Sequence, residues 1–318
     1  MVDGESEMMG AAGSQDAAQC RMCNGHTRVL FKKRVMERYD VDYLSCDSCG
    51  SLQTEVPTWL ADAYAIPGVH IDIGQASRGL YTWLRVCRFL ECIKFDKNLK
   101  CIDFGASMGL FARLMRDSGY NFLAYDLYDN CKLANYFKVE TIDGASPALL
   151  TAFEVFEHFA SPKETVPPLL RAGAEIIIFS TLLYEGQGED WHYLAPECGQ
   201  HVFFYSAKAL TDIAATYGYD FVSTPDFHVF VRRDSSYRTA IIEAKDSPID
   251  AEFITRHVTG IIWNDAIARD QAYARERLTR ELREAAIAAT SKKAGVMRLQ
   301  AYLGRLFSRL RTQRGDLG

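Results

Sequence analysis

The chain has 318 residues and a net charge of −5. Its length and its apolar fraction of 48% suffice for one large globular domain with smaller appendages. The charge gives no overall footprint for nucleic-acid binding, and no run of 18 or more uncharged apolar residues predicts a membrane span. The acidic N-terminus lacks a signal or transit pattern, so we expect a soluble cytoplasmic protein whose nine cysteines are thiols or metal ligands rather than disulfides.

Two cysteine pairs follow residues 1–17, a leader rich in small and acidic residues that we expect to be disordered. Both pairs have C-x2-C spacing, with 22 residues between them: Cys20 and Cys23, then Cys46 and Cys49. Strand-like residues 27–31 and 41–44 suit hairpins whose knuckles present four thiolates to zinc. The pattern predicts a zinc ribbon over residues 18–57, structural because four thiolates leave no open coordination position; four unrelated buried thiols are the alternative.

Residues 58–97 are rich in aromatic and aliphatic side chains and predict a helical cover for the following domain. Apolar residues from Leu80 and Trp83 onward recur at spacings of three and four, which indicates a helix that runs up to the first strand of that domain. Tyr64, Tyr81 and Trp83 could line a ligand site, but aromatic residues at helical spacing are more often part of a core. We favour the core interpretation for all three.

The stretch 99–129 is the most regular part of the chain and predicts a strand, a turn, a helix and a second strand. The first strand covers Cys101–Phe104, and the turn from Gly105 to Gly109 leads into an amphipathic helix that stops near Ser118. The second strand covers residues 121–125. Such a βαβ unit binds nucleotides at the carboxyl ends of its strands.

The spacing within this turn is similar to the D-x-G-x-G-x-G signature of class I S-adenosylmethionine-dependent methyltransferases. Asp103, Gly105, Ser107 and Gly109 stand two residues apart, with Ser107 in place of the middle glycine, whereas a dinucleotide fingerprint needs G-x-G-x-x-G. The resemblance implies that these four residues contact the cofactor and that Asp126, at the end of the second strand, holds both ribose hydroxyls. An ordinary tight turn in another Rossmann-like protein is the alternative.

The remaining elements complete the seven-stranded α/β Rossmann-like sheet that the resemblance implies for residues 98–235. We expect a third strand over Val139–Ile142, a fourth over 149–155, a buried fifth over 175–183, a helix capped by Ser206 and a final antiparallel hairpin of 219–223 and 228–231. In this family a polar residue after the third strand commonly meets the adenine amino group. Asp143 is therefore a candidate cofactor contact, with a turn or helix cap as an equal alternative.

The run E-V-F-E-H-F at residues 154–159 resembles the E-V-L-E-H segment of many small-molecule and sugar methyltransferases, which faces cofactor and acceptor. The resemblance implies that Glu154 contacts the cofactor. Methyl transfer is an in-line displacement, and a hydroxyl or carbon acid must lose a proton to a positioned base. Sugar C-methyltransferases with a cysteine-rich zinc domain use a Glu-His pair there, so His158 is the candidate base and Glu157 its partner. The alternative is that His158 only begins the next helix.

Residues 191–206 carry the patterns W-x-Y-L-x-P, G-Q-H-V and F-Y-S, which resemble bacterial methyltransferases that accompany glycan and polysaccharide biosynthesis. A polar, aromatic loop over strand ends is suited to an acceptor, because aromatic rings stack on sugar faces while His and Gln read hydroxyl groups. Trp191, His192, Gln200 and His201 are the candidate acceptor residues. A rigid loop whose aromatic residues only pack is the alternative.

Residues 236–318 predict a helical extension rich in Ala, Arg, Glu and Leu from 266 to 314. From 271 to 318 there are eleven Lys and Arg against four Asp and Glu, and Met297–Leu310 is basic and amphipathic. This segment could lie on an anionic membrane surface or bind a partner helix, which would place the protein at the inner membrane face. Packing on its own domain or on a second subunit is the interpretation we favour.

These patterns together predict methyl transfer from S-adenosylmethionine to a hydroxyl or carbon of a sugar, nucleotide sugar or glycan precursor. The expected cofactors are S-adenosylmethionine and structural Zn²⁺, and no nucleic-acid partner is expected. A different class of function is also consistent with the sequence: a non-catalytic methyltransferase-like scaffold in glycan assembly that has lost turnover because of Ser107.

Overall fold

The computed structural model describes residues 19–65, 74–128, 131–262 and 265–288. The strands are β1 Thr27–Val35, β2 Tyr39–Cys46, β3 Leu52–Thr54, β4 Cys101–Phe104, β5 Phe122–Tyr125, β6 Leu149–Ala152, β7 Ile176–Phe179, β8 Phe203–Phe204, β9 Tyr219–Ser223 and β10 His228–Arg232. The helices are α1 Leu60–Ala65, α2 Gln75–Cys92, α3 Leu110–Asp117, α4 Pro162–Arg171, α5 Ala207–Thr216, α6 Arg238–Ala244 and α7 Ala251–Ile262. These elements belong to one compact unit, and the helical residues 265–288 belong to a second.

Two sequence-based predictions concern residues that lie outside the described ranges. These are the leader, residues 1–17, and the basic segment Met297–Leu310. Among the helices of the described ranges, none combines the length and the apolar character needed to cross a bilayer.

A six-stranded mixed sheet forms the centre of the larger unit, in the order β5-β4-β6-β7-β10-β9. Strands β5, β4, β6 and β7 are parallel, while β10 runs antiparallel to both β7 and β9. Every residue of β6 and β7 is buried, which explains why apolar residues predominate in these strands instead of alternating with polar ones. The predicted antiparallel final hairpin is confirmed, and the four parallel strands end at one common edge.

The predicted strand over Val139–Ile142 is wrong. Only one parallel bridge forms in this region of the described chain, between Ala124 and Lys138, with Val139 N donating to Ala124 O over 3.0 Å. Glu140 and Thr141 are both exposed, so the alternation that a half-buried edge strand needs is broken after one residue. The described sheet therefore has six strands instead of seven.

A second, antiparallel sheet joins the cysteine-bearing segment to the rest of the unit, in the order β1-β2-β3-β8. Strands β1 and β2 contain the predicted strand-like residues and extend beyond them. Strand β8 comes from the loop after β7, and Phe204 pairs there with Leu52 of β3. The half-buried Arg21 side chain reinforces this junction, since its guanidinium donates to Val202 O and to Ala160 O over 2.6 and 2.7 Å.

Helix α2 confirms the predicted helix before the first strand, but α1 and α2 do not bury all of the aromatic residues assigned to a core. Trp83 is buried and donates through Nε1 to Ser118 Oγ over 2.8 Å. The core interpretation is wrong for Tyr64 and Tyr81, which are 40% and 56% exposed. Tyr81 donates to Asp226 Oδ1 over 2.7 Å, so its hydroxyl faces polar groups at the surface.

Candidate active site

The turn after β4 has the backbone conformation that its glycines permit. Gly105 and Gly109 have φ of +70° and +80°, in the left-handed region that favours glycine. A Cβ atom at Gly105 would lie 2.6 Å from Val155 Cγ2, and one at Gly109 would lie 3.0 Å from Ala134 Cβ. Both positions therefore require glycine, and the segment after β6 packs directly against this turn.

Ser107 also adopts a left-handed conformation, with φ of +50°. For a residue with a side chain this conformation costs about 1 to 2 kcal/mol. Its backbone N–H donates to Asp126 Oδ2 over 2.8 Å, and its Oγ accepts from Gln75 Nε2 over 3.3 Å. The serine thus holds the geometry of the middle glycine that it replaces, at a conformational cost.

Asp126 follows β5 and connects two backbone segments at the edge of the sheet. Its Oδ2 accepts from Ser107 N, and its Oδ1 accepts from Tyr128 N over 2.9 Å. Each carboxylate oxygen keeps a further lone pair, so the group can also accept from a pair of neighbouring hydroxyls. A cavity of about 220 Å³ opens beside it, lined by residues of 124–127 and 138–140 and by Cys131.

Asp103 lies beneath the turn in β4 and is 3% exposed. Burial raises the pKa of its carboxyl to about 7; the nearby charge of Asp126 adds to the rise, while the hydrogen bond from Thr151 Oγ1, 2.7 Å long, opposes it. Ionised Asp103 is therefore unfavourable in this structure unless a positive group comes close.

The two other predicted cofactor residues lie at opposite ends of the segment that contains β6. Asp143 lies in an exposed turn, where its N–H donates to Thr141 Oγ1 over 3.0 Å. Glu154 directly follows the strand end with φ of +52°, and its Oε1 accepts from Ser180 Oγ over 2.6 Å. A non-glycine residue held in this strained conformation is typical of functional sites.

Three side chains that the sequence assigned to two different roles converge beyond β6. We call Glu157, His158 and His201 the Glu-His-His cluster; one nitrogen or oxygen atom of each lies within 4.8 Å of the others. His158 Nε2 is 3.8 Å from Glu157 Oε1, and the two imidazole rings lie 5.1 Å apart in an edge-to-face arrangement. Val202 N donates to Glu157 O over 2.9 Å, which fixes the two chain segments together.

The electrostatic environment of the cluster is set by burial. Glu157 is 0% exposed, and among the described residues neither carboxylate oxygen has a hydrogen-bond partner. Burial raises its pKa to about 8 and the charge of Glu154 adds to this rise, while its own backbone N–H and the nearby hydroxyls of Tyr193 and Thr181 oppose it. Burial and the neighbouring His201 lower the pKa of His158 to about 3. Both imidazole rings are therefore neutral near pH 7, since burial also lowers the pKa of His201.

Two tyrosines that the sequence analysis did not assign to the site support the rings. His201 Nδ1–H donates to the backbone carbonyl of Tyr193 over 2.7 Å, which leaves the lone pair on Nε2. The hydroxyl of Tyr64 lies 3.2 Å from His158 Nδ1, and its ring lies 6.1 Å from that of Tyr128, next to Asp126. Tyr64 thus connects the cluster to the turn side of the site, and no local signal in helix α1 distinguishes it from a core residue.

The other predicted acceptor residues are not brought into the cluster. Trp191 is partly buried, with ring centroids 5.4 Å from Tyr193 and 5.5 Å from Phe204. Gln200 donates through Nε2 to the backbone carbonyl of Ala63 over 3.0 Å and so holds the loop against helix α1. His192 is exposed. Only His201 of the four predicted residues contacts the Glu157 and His158 region directly.

The four predicted zinc ligands do converge. Cys20 Sγ lies 3.7 Å from Cys49 Sγ, Cys23 Sγ lies 3.5 Å from Cys46 Sγ, and all four sulfur atoms lie within 4.8 Å of one another. Tetrahedral zinc with Zn–S bonds of about 2.3 Å places its sulfur atoms about 3.8 Å apart. The donor set and its dimensions therefore fit a four-thiolate metal centre.

Residues 76–224 match the model of a family described as a methyltransferase domain. Among curated proteins, none matches this chain. The matched residues contain the glycine turn, Asp126 and the Glu-His-His cluster.

Three similar solved structures are also methyltransferases. Magnesium protoporphyrin IX methyltransferase (ChlM) from Synechocystis PCC 6803 with bound SAH is 14% identical, over 55% of this chain and 95% of that chain, with a TM-score of 0.39. An O-methyltransferase family protein from Burkholderia thailandensis is 10% identical, over 60% and 66% of the two chains, with a TM-score of 0.44. A methyltransferase in complex with the Trm112 methyltransferase activator of Haloferax volcanii is 15% identical, over 56% and 97%, with a TM-score of 0.39.

The family match covers the part of the chain in which a parallel sheet, a left-handed glycine turn and an acidic residue after the second of its strands occur together. Residues 76–224 therefore form a methyltransferase domain, and the protein is an S-adenosylmethionine-dependent methyltransferase.

Proposed function

We propose that this enzyme methylates a hydroxyl oxygen or a carbon of a sugar, a nucleotide sugar or a glycan precursor. The observation that carries the proposal is the position of the Glu-His-His cluster. It follows β6, which is the direct parallel neighbour of β4, and Val155 packs against Gly105 of the turn. Proton-accepting groups and a cofactor-type turn therefore share one edge of the sheet.

On the cofactor side, the residues present fit S-adenosylmethionine. The free lone pairs of Asp126 suit the two ribose hydroxyls, and the cavity beside it has room for the adjoining part of the nucleoside. Gly105, Ser107 and Gly109 let the backbone approach the ligand closely. Asp103 and Glu154 add carboxylates near the turn, and Asp143 stays a candidate for the adenine. When bound, the cofactor supplies an electrophilic methyl group.

On the acceptor side, the Glu-His pair would remove the proton that a hydroxyl or carbon acid must lose. The acceptor proton would pass to His158 Nε2, and the electron pair left on the acceptor would form the new bond to the methyl carbon while the bond from that carbon to sulfur breaks and its electron pair stays on sulfur. Glu157, 3.8 Å away, would stabilise the resulting imidazolium, and Tyr64 would orient the ring through Nδ1. His192, Gln200 and Trp191 remain candidates for sugar recognition at the margin of this site.

We also propose that Cys20, Cys23, Cys46 and Cys49 bind one structural Zn²⁺. The close approach of the four sulfur atoms supports this site. Its effect would be to hold the hairpin of β1 and β2 against β3. Since β3 pairs with β8, the ion would also support the residues that precede β8, including His201.

Calorimetric titration with S-adenosylmethionine tests the cofactor side. Wild type should bind, and Asp126→Ala should bind about 100-fold more weakly, because two hydrogen bonds to a charged group of roughly 1.5 kcal/mol or more each are lost. Asp212→Ala, which changes an exposed carboxylate on α5, should bind like wild type. Unchanged affinity in Asp126→Ala would mean that the ribose contact is assigned to the wrong residue.

A panel of nucleotide sugars and free glycosides, incubated with the enzyme and the cofactor, tests the acceptor class. Mass spectrometry should find a product one methylene heavier from at least one of them. Turnover of non-sugar phenols alone would overturn the sugar assignment while leaving methyl transfer itself intact.

A further inference from the structure

We propose that the Glu-His-His cluster is a binding site for one divalent transition-metal ion. The binding of the ion does not depend on the proposed function; only its role toward the acceptor does. The site is separate from the four-cysteine centre and differs from it in ligand chemistry.

The first observation is the state of Glu157. Its carboxylate is 0% exposed, and both oxygens lack a hydrogen-bond partner within the described part of the chain. Among those residues the one basic side chain within 4.0 Å of the oxygens is His158, at 3.8 Å. Buried carboxylates in proteins are normally paired, hydrogen-bonded or bound to a metal. The Tyr193 and Thr181 hydroxyls lie close to Glu157 but make no hydrogen bond of normal geometry to it. His158 is beyond hydrogen-bond distance, so a cation would supply the closer partner that the carboxylate lacks.

The second observation is the donor geometry. One donor atom from each of Glu157, His158 and His201 lies within 4.8 Å of the others. Donors bound to one ion at about 2.0 to 2.2 Å lie roughly 3 to 3.5 Å apart, so small side-chain rotations would close the set. Two imidazoles and one carboxylate bind catalytic zinc and non-haem iron in other proteins, and they leave coordination positions open.

The third observation is the support behind each ring. His201 Nδ1–H donates to the Tyr193 carbonyl, so its Nε2 lone pair is available to a metal. On His158, Tyr64 contacts Nδ1 while Nε2 faces Glu157. Metal-binding histidines almost always have such an outer partner on the second nitrogen, because it fixes both the tautomer and the ring orientation.

The ligand set indicates the class of ion. Nitrogen and carboxylate donors suit Fe²⁺, Co²⁺, Ni²⁺ or Zn²⁺, whereas sites with four thiolates favour softer metal ions. An open position on the ion would take an acceptor oxygen and lower the pKa of a bound hydroxyl, so that its proton passes to water. With the ion bound, the His158 nitrogen is a metal ligand, so the proton transfer to His158 proposed above applies to the metal-free enzyme. Acceptors with two adjacent oxygens would bind best, because both oxygens could coordinate the ion.

Equilibrium dialysis against Co²⁺ alone, followed by elemental analysis, tests the site. Wild type should hold one Co²⁺ per chain more than either His201→Ala or Glu157→Gln. Any Co²⁺ bound to the four cysteines is the same in all three proteins and therefore does not affect this difference. The affinity of this additional site should fall at least about 100-fold in both variants. His192→Ala removes an exposed histidine of the same loop, and it should bind Co²⁺ like wild type.

A thermal melt of each protein with and without Co²⁺ gives an independent readout. The ion should raise the Tm of wild type and of His192→Ala by more than that of His201→Ala, since only a ligand of the folded state stabilises it. Equal Co²⁺ content and equal Tm shifts in wild type and His201→Ala would overturn the proposal.

Calorimetry with S-adenosylmethionine on the same samples shows that the variants are folded and separates the two proposals. Cofactor binding with no difference in Co²⁺ content leaves the methyltransferase assignment standing and removes the metal site. A difference in Co²⁺ content without methylation of any sugar would support the metal site and overturn the proposed sugar acceptor.

Discussion

The glycine turn and the Glu-His-His cluster lie at the same edge of one sheet, but they are built in opposite ways. The turn and Asp126 come from one stretch of fewer than 30 residues, and Asp126 already has a backbone N–H on each carboxylate oxygen. The cluster joins residues 157–158 to residue 201 and relies on Tyr64, and Glu157 has no hydrogen-bond partner among the described residues. The turn side is encoded within one short stretch, and the carboxylate of Asp126 has hydrogen-bond donors. The cluster is assembled from residues far apart in sequence, and the carboxylate of Glu157 has no such donor among the described residues.

The largest effect should come from the cysteine centre. Cys46→Ser, or removal of zinc by a chelator, should unfold the β1–β2 hairpin, because zinc binding supplies folding free energy in small thiolate sites. Since β3 pairs with β8 near His201, turnover should fall below detection while cofactor affinity changes little. Hydrogen exchange locates the unfolding, and calorimetry measures the affinity.

Elemental analysis should accordingly find one zinc ion on the cysteines of wild type. If Cys46→Ser lost cofactor affinity as strongly as turnover, the comparison would be wrong, because the glycine turn would then also depend on the sheet that carries the cysteines. Cys92→Ser, a partly buried cysteine on α2, is the control and should keep the zinc.

His158→Ala should reduce turnover by about 10² to 10⁴-fold, the range for losing a positioned proton acceptor, while cofactor affinity stays near the wild-type value. Glu157→Ala should cause a smaller loss. Steady-state kinetics beside calorimetry measures both quantities. His26→Ala, an exposed histidine in the cysteine segment, should turn over normally. Wild-type turnover in His158→Ala, or a parallel loss of cofactor binding, would exclude the residue as the proton acceptor.

Asp103→Asn should stabilise the metal-free, cofactor-free protein in a pH-dependent way. The folded-state pKa is raised to about 7 from 3.8, so wild-type stability declines as pH rises from 4 through 7, when the buried carboxyl must ionise. The variant lacks this decline, and its advantage should reach about 2 to 4 kcal/mol at pH 8 at 1.36 kcal/mol per pKa unit.

Urea unfolding at pH 5 and pH 8 measures this difference, with Asp212→Asn as the exposed control. A gain that is the same at both pH values would show that the pKa of Asp103 is not raised in the folded protein. Cofactor affinity should decrease in Asp103→Asn, since the positively charged cofactor would lose a nearby carboxylate.

Ser107→Gly should have the smallest effect. Relief of the left-handed conformation at φ of +50° should raise stability by about 0.5 to 1 kcal/mol, partly offset by loss of the 3.3 Å hydrogen bond from Gln75. Ser107→Ala retains the strain and should show no gain. A thermal melt compares the three proteins, and a destabilised glycine variant would mean that the hydroxyl contributes more than the strain costs.

The comparison also explains which features could be predicted. Strand β7 was predictable because a buried parallel strand is a continuous apolar run, β4 and β6 because three of the four residues in each are apolar, and the turn because glycine is needed at Gly105 and Gly109. The strand at Val139–Ile142 was predicted wrongly because a short apolar pattern does not show whether a neighbouring edge will pair with it beyond one bridge. The assignment of Tyr64 to a core failed for a similar reason, since helical spacing does not reveal what lies opposite.

By itself the sequence determined the elements whose physics is local: the left-handed turn, the apolar strands, the Ser206 cap, which accepts from Ala209 N over 3.0 Å, and the spacing of the cysteine pairs. Only the tertiary structure decided that His201 joins Glu157 and His158, and that Trp191 packs against other aromatic rings instead. The physical reason is that desolvation and side-chain contact depend on residues far apart in the chain. Whether a carboxylate such as Glu157 is buried without a partner cannot be read from its neighbours in sequence.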